Sequence, residues 1–144
     1  MANAMYVAAR NGYQGAHATR VDLDADTIKF VMTDHAGAEG APDPATDDFY
    51  DDIDGSTVGG LSTALASKTI GSVAAGVFDA ADLAPAWTAV SGATTESISM
   101  LKDTGSAATS NLCSYWDTGV TGLPFTPSGG DVNLAFSASG IQQI

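Results

Sequence analysis

The sequence has little of several residue types that carry chemistry, and cysteine is the scarcest of them. Cys113 is the only cysteine among 144 residues, so an intrachain disulfide is excluded. It lies in the run Asn-Leu-Cys-Ser-Tyr-Trp at 111–116, which is typical of a strand, and we expect a small buried side chain there. A catalytic thiol would need a neighbouring base, whereas His17 and His35 lie far away in polar segments.

Basic residues are scarce as well. There are 5 lysines and arginines against 17 aspartates and glutamates, which gives a net charge of −12. A surface this negative repels phosphate groups, and no basic stripe in the sequence offsets it. We therefore expect neither nucleic acid nor a membrane among the partners of this protein.

Long apolar runs, leader segments and catalytic motifs are missing too. No run approaches the length that spans a bilayer, and the first ten residues do not resemble a signal peptide, so we expect a soluble protein made in a cytoplasm. Ser91 and Ser106 lie in predicted turns without a histidine nearby. The Gly-Gly pairs at 59–60 and 129–130 do not have the spacing of a phosphate-binding loop. We therefore expect a protein that is not an enzyme.

What the sequence does contain is a normal hydrophobic share of 44%, with abundant Ala, Gly, Ser and Thr. This share is enough for a core, and the length is typical of one domain. No repeat or linker divides the chain. We predict a single domain over residues 1–144.

Turn residues at short intervals punctuate runs that alternate between apolar and polar residues. Such a pattern predicts a mainly β fold, a single-domain antiparallel β-sandwich or barrel with one or two short helices. Two short helices are predicted at 3–12, capped by Asn3, and at 46–53, capped by Thr46. A helix over 61–68 is an alternative to a strand there. The predicted strands are 26–33, 63–70, 73–78, 86–90, 95–102, 110–116, 131–136 and an edge strand at 141–144.

Alternate aspartates at Asp22, Asp24 and Asp26 are the sharpest candidates for a metal site, because Ca²⁺ prefers several oxygens from one loop. An EF-hand loop is ruled out, since Thr27 and Thr33 stand at its sixth and twelfth positions. The simpler interpretation is a solvated turn before a strand, and we predict no cofactor. A second group of acidic residues consists of Asp47, Asp48, Asp51, Asp52 and Asp54. This group is either the exposed face of a capped helix or a metal site.

Four stretches in order along the chain carry a resemblance. They are Met-Ala-Asn-Ala-Met-Tyr with Ala-Ala-Arg in 1–10, Asp-Thr-Ile-Lys at 26–29, Lys-Asp-Thr-Gly through Thr-Ser at 102–110, and Thr-Gly-Leu-Pro-Phe-Thr-Pro-Ser-Gly-Gly-Asp at 121–131. Together they resemble a family of small structural proteins of tailed-bacteriophage particles. The end of the chain, 137–144, departs from the family pattern because it is less basic and less aromatic, so no C-terminal contact is carried over.

The resemblance implies either a capsid decoration (cement) protein or a minor tail component, in both cases without catalytic residues, and we expect a decoration protein. Such a protein lies on the capsid exterior of the virion after assembly in the host cytoplasm, and it binds the major capsid protein. Additions to a capsid are usually symmetric homo-oligomers, and we expect a trimer that stabilises capsomer junctions by binding the assembled shell.

Residues 1–13 are the predicted contact arm, because a short amphipathic end needs a partner. The alternative is that this end packs on its own domain. The predicted interface residues are Asn3, Met5, Tyr6 and Tyr13.

Two other functions stay open at this point. The first is a tail or fibre-attachment subunit of the same particles. The second, from a different class, is a Ca²⁺-dependent carbohydrate-binding module, because acidic β-sandwiches often bind sugars through a metal.

Overall fold

Strands dominate the regular structure of this computed structural model, which describes residues 3–14 and 20–144. A single α-helix in these ranges, α1, spans Val7–Gln14, and short 3₁₀ helices lie at Tyr50–Asp52, Asp54–Ser56 and Ala107–Thr109. The predicted mainly β fold with few helices is confirmed. The strands are β1 (Ala4–Met5), β2 (Ile28–Thr33), β3 (Thr57–Leu61), β4 (Thr69–Ile70), β5 (Val77–Asp79), β6 (Leu83–Ser91), β7 (Ser97–Lys102), β8 (Leu112–Trp116), β9 (Ser128–Leu134) and β10 (Gln142–Gln143).

The central sheet has five antiparallel strands in the order β1-β8-β7-β2-β3. Residues that stand opposite each other in an antiparallel pair share a face, so the pairing assigns each side chain to one of two faces. The apolar face consists of Ile28, Phe30, Met32, Ile98 and Met100. The opposite face, which we name the hydroxyl face, includes Thr33, Ser97, Ser99 and Tyr115 beside the apolar Val31 and Leu101, all of them buried.

The apolar face is covered by a second layer, which makes the fold a sandwich. Antiparallel β6 and β9 form a two-stranded sheet in this layer, and β4, β5 and β10 form a three-stranded one. The centroid of the Phe30 ring lies 5.6 Å from that of the Phe136 ring and 6.2 Å from that of the Trp116 ring. The Trp87 indole donates a 2.9 Å hydrogen bond to the Gly60 carbonyl, which joins β6 to β3.

The hydroxyl face is covered by α1 and by residues 34–56, which we name the acidic connection. Its ends meet where Asp34 N–H donates to the Ser56 carbonyl. Between those ends the chain crosses to β8, where the Asp48 carbonyl accepts a 3.0 Å hydrogen bond from Leu112 N–H. Helix α1 is attached to the connection because Val7 N–H donates to the Pro44 carbonyl at 3.0 Å.

Three local predictions are wrong. The first helix begins at Val7, after a short strand, so Asn3 does not cap it. Residues 46–53 contain only a 3₁₀ turn, because the Asp52 carboxylate accepts the backbone N–H groups of residues 48 and 49 and closes a tight turn there. The strand predicted at 63–70 is irregular up to β4, because its N–H groups bond to both layers in turn. Thr63 N–H donates to the Ala86 carbonyl of β6, and Leu65 N–H donates to the Ile28 carbonyl of β2.

An ion pair closes one end of the central sheet. Lys29 Nζ lies 2.7 Å from Asp103 Oδ2, with about a quarter of the lysine side chain and 14% of the aspartate side chain exposed. The hydrogen bond from Lys29 lowers the pKa of Asp103 from its ordinary value, and the Gly105 N–H adds to this effect. The ionised carboxylate therefore stabilises the folded state more than the unfolded state.

Replacing Asp103 with asparagine is expected to lower the free energy of unfolding at pH 7 by up to about 1 kcal/mol, the usual range for a partly exposed pair. Because the folded pKa is lowered, this contribution is present above the ordinary aspartate range and disappears as the pH falls through the folded pKa. Urea unfolding of both proteins between about pH 7 and pH 3 measures the gap. Asp51→Asn, at an exposed position, removes the same charge as a control. A gap of constant size over this pH range would contradict the assignment.

Candidate functional site

The aspartate turn at 22–26 uses its carboxylates to hold its own backbone. Asp22 Oδ1 accepts hydrogen bonds from the N–H groups of Asp24 and Ala25 at 3.2 and 3.1 Å. Asp26 Oδ2 accepts from Asp22 N–H at 2.8 Å and lies 3.0 Å from Lys102 Nζ. Within the described residues no three His, Cys, Asp or Glu side chains are placed to share a metal ion. The structure therefore explains Asp22 and Asp26 as turn and ion-pair residues and leaves Asp24 exposed.

The acidic connection concentrates negative charge on one side of the molecule. It contains eight aspartates and glutamates and no lysine or arginine. Several of its carboxylates close turns in the same way as Asp22; Asp47 Oδ2, for example, accepts from Asp43 N–H at 2.7 Å. Partial burial raises the pKa of Asp47. Asp48, Asp51 and Asp54 are exposed, so this side presents a dense negative field to solvent.

The predicted contact arm begins in the central sheet of its own domain. The Asn3 amide donates a 2.9 Å hydrogen bond to the Thr118 carbonyl, and its oxygen accepts from the N–H groups of Asp117 and Thr118 at 3.1 Å. Met5 pairs with Ser114 in β8 and is partly buried. These two residues therefore join the sheet edge, and their contact with another protein stays a prediction.

Tyr6 belongs to the core. Its side chain is 0% exposed, and its hydroxyl shares a 2.8 Å hydrogen bond with Ser99 on the hydroxyl face. Burial raises the pKa of Tyr6 far above its ordinary value. In this fold the Tyr6 side chain is consequently out of reach of a partner. The side chain of Tyr13 lies outside the described residues.

A polar cluster at the rim of the hydroxyl face brings together residues that are distant in sequence. His35 Nε2 lies 3.0 Å from Ser97 Oγ, and its Nδ1 lies 4.0 Å from Glu96 Oε2. The Tyr115 hydroxyl is 3.4 Å from His35 Nε2, and burial raises the pKa of Tyr115. Sequence reasoning missed this cluster, because its members meet only through the pairing of β2 with β7 and of β7 with β8.

Serine, histidine and carboxylate together are the residue types of a hydrolase triad, but the position of the serine decides what this cluster can do. A nucleophile has to reach its substrate. Ser97 is 0% exposed, and its Oγ is also 2.5 Å from Thr33 Oγ1, beneath the layer formed by α1 and the acidic connection. We interpret the cluster as a buried hydrogen-bond network that holds the start of that connection, since His35 N–H also donates to Glu96.

A concave surface lies on the other side of the sheet. It is an open cleft of about 650 Å³ between the segment that follows β8 and the segment that includes the end of β9. We name it the apolar groove. Phe30 and Ile98 of the apolar face are buried beneath it. Its further apolar lining includes Trp116, Val120, Phe136 and Ile141.

The apolar groove is uncharged, although the protein carries a net charge of −12. None of its lining residues is Asp, Glu, Lys, Arg or His. The layer around it carries few charges: Asp131 in β9, Asp79 at the end of β5, and Asp82, which accepts a 2.8 Å hydrogen bond from Phe136 N–H. Such a surface favours an apolar or aromatic occupant over an ion. The groove is the candidate functional site that the geometry supports best.

Sequence patterns indicated parts of this groove without predicting it. Trp116 and Phe136 are the last residues of two predicted strands, and their packing on Phe30 agrees with a role in the core. Their partial exposure depends on how the segment after β9 crosses the sheet. No local spacing encodes that crossing.

Within the described residues no helix has the length and hydropathy that crossing a bilayer requires. The chain matches no protein-family model, no curated protein and no solved structure at a significant level.

Proposed function

We propose that this protein is a structural subunit of a virus particle, a capsid decoration protein that binds the outer surface of the assembled shell and stabilises the junctions between capsomers. It acts as a homo-oligomer, for which a trimer is the expected form, and the major capsid protein is its partner. It has no catalytic role in this proposal. Binding and burial of surface are its whole function.

The observation that carries this proposal is the division of the molecule into two unlike layers. The acidic connection and the second layer lie on opposite faces of the central sheet. An addition to a shell needs one surface that contacts protein and another that stays hydrated. An uncharged groove in a layer with only a few charged residues suits the first role. The dense negative charge suits the second, because it keeps outward surfaces soluble and apart.

The sequence resemblance adds support that is independent of surface chemistry. Its four stretches fall at β1 with α1, at the start of β2, at the β7–β8 turn and in the segment that leads into β9. They lie in order along the chain in residues 1–29 and 102–131, so the resemblance rests on several separate segments rather than on one motif.

Immunogold labelling of purified particles tests the location of the protein. Cells that express this chain together with the virus are lysed, and the particles are labelled with an antibody against the chain. We expect gold over the heads. Gold confined to the tails would overturn the decoration role in favour of a tail subunit, and particles without any label would overturn both.

A thermal experiment tests the stabilising role. Particles stripped of the protein are heated with and without added purified protein, and release of the genome is followed by a nucleic-acid dye. A ligand whose free concentration is 100 times its dissociation constant stabilises the state it binds by about 2.7 kcal/mol per site. We therefore expect the release temperature to rise with protein concentration until the sites are filled. An unrelated protein of similar charge is the control. An unchanged release temperature at saturation contradicts the role.

A further inference from the structure

Two strand edges line one cleft at a side of the sandwich. Among the strands that the structure describes, β1 ends the central sheet and β10 ends the three-stranded sheet of the second layer. Both strands line a cleft of about 190 Å³, which we name the edge cleft. The rest of its lining comes from Asn3 and from Ser114, Tyr115 and Trp116 of β8. An open strand edge is a place where a further strand can be added.

The backbone of Met5 faces away from its own sheet. Tyr6 N–H donates to the Cys113 carbonyl at 3.1 Å, and Ala4 stands opposite Tyr115 in the same register. In an antiparallel pair only alternate residues exchange hydrogen bonds with the partner strand. The N–H and carbonyl groups of Met5 therefore point outward from β8, and no other backbone group in the described residues bonds to them.

Strand β10 has the same arrangement on the other side of the edge cleft. Ile144 N–H donates to the Gly76 carbonyl at 2.8 Å, and Gln143 stands opposite Val77 of β5 in the same register. By the same alternation the backbone groups of Gln143 point away from β5. None of the described backbone groups bonds to them. Two outward pairs of donor and acceptor, at Met5 and at Gln143, thus belong to one cleft.

The lining of the edge cleft also contains a buried side-chain donor. Oε1 of Gln142 accepts a hydrogen bond from the Ser114 hydroxyl, which joins β10 to β8. Nε2 of the same amide is buried and is not hydrogen-bonded to any described residue. A buried donor without an acceptor opposes folding, and an oxygen atom that enters the cleft would remove this cost. Gln142 therefore indicates an occupant that carries an acceptor.

These groups select an extended polypeptide. Its alternating N–H and carbonyl groups match an open strand edge, which is the basis of strand addition in peptide recognition. No residue of the lining is Asp, Glu, Lys, Arg or His, so the side chain that enters the cleft is expected to be uncharged. The Gln142 amide requires an oxygen acceptor on that side chain, as in Ser, Thr, Asn or Gln.

The length of the edges favours a segment of another protein over a second copy of this chain. Strands β1 and β10 have two residues each, so either edge paired with its equal in a second copy would form few hydrogen bonds. The edge cleft is also continuous with the surface assigned to the shell, because Trp116 lines both the edge cleft and the apolar groove. Asn3 and Met5, two of the predicted interface residues, line it as well.

We propose that an extended segment of the major capsid protein adds to β1 as a further strand. Its backbone bonds to the outward N–H and carbonyl groups of Met5, and one uncharged side chain enters the edge cleft and accepts a hydrogen bond from Gln142 Nε2. This inference rests on the proposed function, which supplies the identity of the partner, and it deepens that function by naming the form of the contact.

Co-sedimentation of the full chain with stripped particles measures the contact. Met5→Pro removes the outward N–H but none of the hydrogen bonds that Ala4 and Tyr6 form with β8, and the fixed φ of proline is compatible with an edge strand. Met5→Ala is the matched control, because it also lacks the methionine side chain but retains the N–H. We expect Met5→Pro to bind the particles at least about tenfold more weakly than Met5→Ala.

A second pair of variants tests the side-chain donor. Gln142→Glu keeps the acceptor that bonds to Ser114 and replaces the unpartnered donor by an oxygen, so it would repel the incoming acceptor. We expect binding to weaken at least about tenfold. Gln143→Glu makes the same change at the next residue, whose exposed side chain lies on the opposite face of β10, and it should bind like the wild type. Circular dichroism checks that all variants are folded.

Hydrogen exchange gives a readout that does not depend on a variant. On particles, deuterium uptake at the Met5 amide should slow at least about tenfold, because a newly bonded amide exchanges only when the added strand opens. A wild type that binds particles without this protection, or with equal affinities within each pair of variants, would overturn strand addition and leave the proposed function intact. A wild type that does not bind particles would overturn both.

Discussion

Replacing Tyr6 with alanine is expected to lower the free energy of unfolding by about 3–5 kcal/mol, the cost of removing a large buried aromatic side chain. Tyr6 is 0% exposed and connects the start of α1 to the hydroxyl face through Ser99. The loss would leave a cavity between the helix and the sheet, which the surrounding strands cannot fill. Urea unfolding followed by tryptophan fluorescence measures the change, because Trp87 and Trp116 are both in the folded domain.

Tyr6→Phe separates packing from hydrogen bonding at this position. It keeps the ring and removes the hydroxyl, so a loss of only about 1–2 kcal/mol is expected from the unpaired Ser99 hydroxyl. If the first residues were an arm detached from the domain, Tyr6→Ala would change stability by less than about 1 kcal/mol. Such a result would contradict the placement of Tyr6 in the core.

Replacing Gly140 with alanine is expected to cost about 2–5 kcal/mol. Gly140 has a φ of +92°, a conformation that costs a residue with a Cβ roughly 1–2 kcal/mol. The new Cβ would also lie 2.2 Å from Val77 Cγ1 and 3.1 Å from the Phe78 carbonyl oxygen, and overpacking of this kind adds about 1–3 kcal/mol. The substitution therefore pushes the chain before β10 away from β5, and thermal unfolding should begin at a lower temperature.

Gly71→Ala is the matched control for Gly140→Ala. Gly71 has a similar φ of +79°, but an added Cβ would meet no atom within 4 Å, so only the conformational cost of about 1–2 kcal/mol is expected. Val77→Ala removes the atom with which the new methyl collides, and in that background Gly140→Ala should cost little more than Gly71→Ala. Equal costs at Gly140 and Gly71 in the wild-type background would show that the collision is absent.

The strands of the central sheet were predictable where alternation and burial agree. In β2 and β7 the apolar residues Ile28, Phe30, Ile98 and Met100 alternate with polar or β-branched ones, and both strands lie within one residue or two of the predicted ranges. The hairpin of β7 and β8 also followed from its turn residues. Strand β3 was missed, because Gly59 and Gly60 read as loop residues although both lie within it.

The helix predicted at 46–53 is absent, although the residue preference on which the prediction rests is real. Aspartates do favour the first turn of a helix, but here they bond to nearby N–H groups and close turns instead. Asp52 does so for residues 48 and 49, and Asp47 for Asp43. The carboxylates thus compete with the helix for the same backbone donors.

The candidate site was less predictable than the fold, because it depends on contacts between distant segments. The groove needs Phe30 from β2, Trp116 from the end of β8 and Phe136 from beyond β9. The cluster around His35 likewise depends on the register that sets Thr33 opposite Ser97. A single sequence records the apolar character of such residues but not their long-range pairing.

The separation of charge between the two faces of the central sheet gives the molecule an electric dipole that runs through the sheet. Eight acidic residues of the 34–56 segment lie at one end of this dipole, and the second layer at the other end carries three, Asp79, Asp82 and Asp131. A charged surface turns such a molecule before touching it. Approach to a negatively charged array would therefore present the less charged side first, so that most early collisions already have the orientation in which an apolar contact can form.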